Sequence, residues 1–141
     1  MSDVISVDLA RRLRDAGLRW TPTAGDRFVI PQPGLVDELF TLSDMTIEPH
    51  HYPTGTVLGF NGTTEWALDS VAQEDALWMP REDQLRELLG GTFRALVRDG
   101  PSHQVVVQMP GRPETSFTAD DPAEAYGRAL LALLVLATSD V

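Results

Sequence analysis

Cysteine is absent from the chain. That removes disulfides, thiolate metal sites, iron–sulfur clusters and cysteine nucleophiles. Lysine is absent too, so all 11 basic residues are arginines. No Schiff base, lysine general base or phosphate loop of the form G-x-x-x-x-G-K-[ST] can be built from such a chain. Long apolar runs are also missing. The longest, Ala129 to Ala137, falls well short of the roughly 20 residues that span a bilayer. The N-terminal MSDVISVDLARR lacks the basic-then-apolar pattern of a secretory signal. The expected location is therefore cytoplasmic, with no membrane contact.

What is present is an ordinary globular balance. The 141 residues are 43% hydrophobic and 23% charged, which argues against disorder and for one domain spanning residues 1–141. The net charge is −10, and it is unevenly placed: residues 31–90 hold eleven acids against two arginines, whereas residues 1–30 are slightly basic. A chain this acidic repels phosphate backbones, so direct nucleic-acid binding is not expected. The acidic middle reads as a solvated surface or as a face for a basic partner.

Three helices are predicted. Ser6 can cap the first, Leu9, Ala10, Leu13 and Ala16 form its apolar stripe, and Gly17 suits a left-handed C-cap. In the second, Pro80 fits the first position, and Leu85, Leu88 and Leu89 make the stripe before Gly90-Gly91. The third opens with Asp121 as cap, Pro122, and Glu124 in capping-box position. Between the first two helices lie strand segments at Arg27–Ile30, Leu39–Leu42 continuing through Met45–Ile47, Thr56–Phe60, and Thr63–Val71 after an Asn61-Gly62 turn. A meander of Thr92–Val97, His103–Met109 and Glu114–Thr118 precedes the last helix, with turns at Asp99-Gly100-Pro101 and at residues 110–113. Strands joined by hairpins and flanked by helices give an α+β fold, mostly antiparallel, in the order α-β-β-β-β-α-β-β-β-α.

The one stretch that invites a chemical reading is Glu48-Pro49-His50-His51-Tyr52-Pro53, which holds two of the three histidines. Prolines after Glu48 and Tyr52 push the backbone toward extended geometry. Neighbouring side chains of an extended chain point to opposite faces, so His50 and His51 diverge and do not share one metal. His50 and Glu48 share a side, which leaves room for an oriented imidazole, with Asp44 nearby in sequence. The plainer reading is a stiff polar connector before a hairpin. His103 reads as a rim residue. Ser70, Ser102 and Ser116 lack a nucleophile elbow, and no G-x-G-x-x-G is present. Acid pairs such as Glu82-Asp83 are splayed apart by helix geometry. Trp66 and Trp78 fit a core, or alternatively a groove where they would anchor a partner. The candidate binding residues are Asp44, Glu48, His50, Trp66 and Trp78; no catalytic residue, metal ligand or cofactor is assigned.

The run FNGTTEWALDSVAQEDALWMPREDQLRELLGGTF, with SVDLARRLRDAGLRW and GDRFVIP, resembles a family of small actinobacterial proteins, some of which carry a pilus-assembly label. A lysine-free, alanine- and arginine-rich composition agrees with such a high-GC origin. The shorter LWMPREDQLRELL is similar to small accessory proteins of phages. The resemblance covers most of the chain. It implies a compact fold and carries over no catalytic residue.

The expectation is a small acidic non-enzymatic binding or accessory protein that meets a protein partner through the region 37–87. One alternative is a small-ligand or metal site, or an enzyme, built on Glu48 and His50. Another is an acidic DNA mimic, which needs carboxylates spaced like phosphates on one face. Self-association is a further expectation, with Arg11, Arg12 and Arg14 meeting the acidic middle of a second copy.

Overall fold

The computed structural model describes residues 4–32, 34, 38–42, 47–52, 55–60, 70–72 and 75–139. These form three helices and short antiparallel strands, the expected α+β class. The chain gathers into two compact units. One comprises Met1–Arg19 with Pro80–Val141, and the other Trp20–Met79.

In the first unit, α1 spans Val7–Asp15. Ser6 caps it by accepting from the Leu9 amide at 3.1 Å, and Gly17 follows with φ of 109°, a conformation that suits glycine. The helix α2 spans Glu82–Leu89. It starts two residues later than Pro80 at the first position would give, with Arg81 as N-cap and its amide donating to the Gln84 side chain at 2.9 Å. The longest helix, α3, spans Pro122–Ser139. The three strands of the meander cover Phe93–Asp99, Ser102–Gln108 and Glu114–Ala119, with the Ser102–Gln108 strand central and both pairings antiparallel.

Alternation along the central strand buries His103, Val105 and Val107 and leaves Gln104 and Val106 partly exposed. Helix α3 packs on that strand and on Glu114–Ala119, while α1 and α2 pack against α3. Leu13, Leu85, Leu89, Tyr126, Leu130, Val105 and Val107 are almost wholly buried, each apolar side chain contributing about 1.5–3 kcal/mol by leaving water. His103, expected at a rim, is instead buried. Its Nδ1 lies 2.9 Å from the Asp120 carbonyl. A carbonyl only accepts, so Nδ1 carries the proton.

In the second unit, β1 spans Arg27–Val29, β2 Phe40–Thr41, β3 Ile47–Tyr52, β4 Gly55–Phe60, β5 Ser70–Ala72 and β6 Leu77–Trp78. They make two three-stranded antiparallel sheets, β2-β1-β6 and β3-β4-β5. Numbering on from these, the meander strands Phe93–Asp99, Ser102–Gln108 and Glu114–Ala119 are β7, β8 and β9. Phe28, Val29, Ile30, Phe40, Leu42, Leu77 and Met79 are buried. Phe28 stacks on Phe40 at 5.4 Å and tilts against Trp20 at 5.6 Å between ring centroids.

Candidate functional site

The sequence candidates fall in three places. Asp44 and Trp66 lie outside the described residues. Glu48 and His50 lie on β3, an edge strand in its sheet, where the register pairs Glu48 with Gly59 and His50 with Val57. EPHHYP is thus strand rather than a connector through Tyr52. Pro49 is tolerated there because an edge strand does not need every amide. Trp78 lies on β6, opposite Phe28 in the register. It is half-buried, and its ring stacks on Trp20 at 6.5 Å with an interplanar angle of 9°. Its Nε1 is buried and makes no hydrogen bond to a described residue. Close by, the buried Asp26 carboxylate accepts from Trp20 Nε1 at 2.9 Å and from the Thr23 amide at 3.0 Å. Stacking and burial give this corner of the unit a packing role. Among the described residues, no three acid or histidine side chains converge to hold a metal ion.

A depression that the sequence did not flag lies in the first unit. It has a volume of about 560 Å³ and opens between α2, β7 and α3. Helix α2 places Glu82, Asp83, Arg86 and Glu87 around it, while Phe93 and Tyr126 also line it. The i, i+4 spacing sets Glu82 over Arg86 and Asp83 over Glu87 on one side of α2. Phe93 is half-buried at the start of β7, and its ring meets that of Tyr126 at 5.6 Å with a 37° tilt. The Arg86 guanidinium sits 4.8 Å from the Phe93 centroid, a cation–π arrangement. Asp83 is engaged by Arg81 at 3.1 Å, whereas Glu82 and Glu87 make no ion pair with a described residue.

Tyr126 is 2% exposed; its hydroxyl makes no hydrogen bond to a described residue and is reached by solvent. Burial pushes its pKa above the ordinary value; Arg86 pulls it partly back and Glu82 adds to the rise. The phenol therefore stays neutral through the physiological range and can both donate and accept. The depression combines an aromatic floor, an uncommitted hydroxyl and a mainly anionic rim.

A second, more apolar groove runs between α1 and α3. Leu9, Phe117, Leu131 and Val135 line it, and Asp8, Arg12, Glu124 and Arg128 supply its charges. Those two acids and two arginines make it locally neutral. In α1, Arg12 pairs with Asp8 at 3.1 Å and Arg14 with Asp15 at 3.5 Å, both exposed. The expected basic face is thus partly neutralised by its own helix. No described helix is long and apolar enough to cross a membrane.

Comparison with protein-family models, curated proteins and solved structures finds no match to this chain.

Proposed function

We propose that the chain is a small acidic binding or accessory protein without enzymatic activity, which docks a basic protein partner through its acid-rich region 37–87. Segregation of charge between the two units carries this reading. Residues 20–79 hold nine carboxylates and a single arginine, whereas residues 1–19 with 80–141 hold twelve carboxylates and ten arginines. Solubility alone does not require one half to be almost free of cations. A concentrated anionic field attracts and orients a cationic surface and disfavours like-charged competitors. Within the first unit, α2 carries the acids Glu82, Asp83 and Glu87 of the same stretch of sequence.

The test is a titration of the full chain with an arginine-rich peptide and with a neutral peptide of equal length, at low and high salt. Variants replace the acids of residues 37–75 by their amides. Preferential binding of the cationic peptide, weakened by salt and by the amide substitutions, supports the reading. Binding that ignores both, or no binding, overturns it. Affinity capture from lysate at the two salt concentrations then identifies the natural partner.

A further inference from the structure

Three features of the α2–β7–α3 depression point to one kind of ligand. First, its aromatic floor already hosts a cation, because the Arg86 guanidinium rests over the Phe93 ring. Second, Glu82 and Glu87 line it without an ion-pair partner among the described residues. Third, Tyr126 lines it with its ring buried and its hydroxyl engaged by no described residue. A hydroxyl that no protein group engages offers a donor and an acceptor to a ligand that displaces the water on it. The lining holds three carboxylates against one guanidinium, so the local field favours a cation over an anion.

We propose that this depression receives the guanidinium group of an arginine side chain presented by a partner protein. The planar fork can donate to the carboxylates of Glu82 and Glu87 and to the Tyr126 oxygen while its face stacks on Phe93. Arg86 competes for that ring and moves aside when the ligand enters. The assignment rests on the basic-partner reading above and adds the place and the chemical group.

The probe is N-acetyl-arginine amide, which carries one guanidinium and no other charge, titrated into the full chain and followed by NMR. Acetate and N-acetyl-leucine amide serve as the anionic and neutral comparisons. The expected result is saturable shifts at Tyr126, Phe93, Glu82 and Glu87 with the arginine probe only. Glu82→Gln and Glu87→Gln each weaken binding about two- to fivefold, the scale of partly exposed ion pairs. Tyr126→Phe weakens it while leaving the fold intact. Arg86→Gln strengthens it by freeing the ring.

Loss of binding in Arg86→Gln, or shifts produced by acetate, would assign the pocket to an anion and overturn the proposal. So would the absence of saturable shifts at these residues. Parallel titration with the arginine-rich peptide separates the two levels. Salt-sensitive peptide binding that maps elsewhere removes this pocket but keeps the basic partner, whereas failure of both removes both.

Discussion

Glu124 on α3 reaches across 118 positions of sequence to Ser6, accepting from its amide at 2.8 Å and from its hydroxyl at 3.0 Å. The capping-box spacing after Asp121 suggests that Glu124 serves its own helix. Instead it closes the start of α1, where Ser6 already accepts from Leu9. Replacing Glu124 by Ala is expected to lower stability by about 1–2 kcal/mol, and Ser6→Ala by about 1 kcal/mol. The double variant should lose less than the sum, since both changes remove the hydrogen bond between the Ser6 hydroxyl and the Glu124 carboxylate. Urea denaturation of the four proteins measures this.

At Gly127, α3 comes close to Leu9 of α1. A Cβ placed there would stand 2.5 Å from Leu9 Cδ2 and 3.3 Å from its Cγ. Alanine gains about 1 kcal/mol of helix propensity over glycine. Overpacking against a buried leucine costs about 1–3 kcal/mol. Gly127→Ala should therefore be neutral to destabilising, and Gly127→Val clearly destabilising, by thermal melts. Pairing Gly127→Val with Leu9→Ala should recover part of the loss.

Tyr126 gives a stability difference that appears only in alkali. Its pKa is raised in the folded state by burial. Below about pH 10 the phenol is protonated in both states and contributes nothing to the pH dependence. Above that, the unfolded chain ionises while the folded chain holds its proton, so stability falls as pH rises. Tyr126→Phe should be within about 0.5 kcal/mol of the parent at neutral pH, because no hydrogen bond is lost. It should lose less stability above pH 10. Denaturation curves of the two proteins across pH check the sign.

Asp26 holds the Trp20 indole and the Thr23 amide on one carboxylate oxygen. Asp26→Ala should cost about 1–3 kcal/mol by leaving the indole donor unsatisfied, and Asp26→Asn less, because an amide oxygen can still accept. The Trp20 indole proton resonance should move in both variants.

The helices and the meander were legible because local signals agreed with tertiary demands. Turn residues bracket β7, β8 and β9 closely, and Gly100 and Gly111 take φ of 60° and 72° as such turns require. The two-residue strand β6 was invisible, since its existence depends on pairing with Phe28 and Val29 some fifty positions earlier. β3 was read as extended but not as a strand, because Pro49 argues against one until the edge position is known. The depression was missed for a different reason. Its carboxylates look hydrated when α2 is read alone, and Tyr126 sits on an apolar helix where a tyrosine suggests only packing. Only the docking of α3 against α2 and β7 turns these residues into one surface.

The uneven charge of the two units also decides how copies of this molecule repel one another. Almost all of the mutual repulsion originates in residues 20–79, so acidification or divalent counterions would remove it there first. The remaining half, nearly neutral and bearing the half-exposed leucines of the distal α3, would then be free to adhere while still folded. Clouding on acidification should accordingly precede the loss of helical signal.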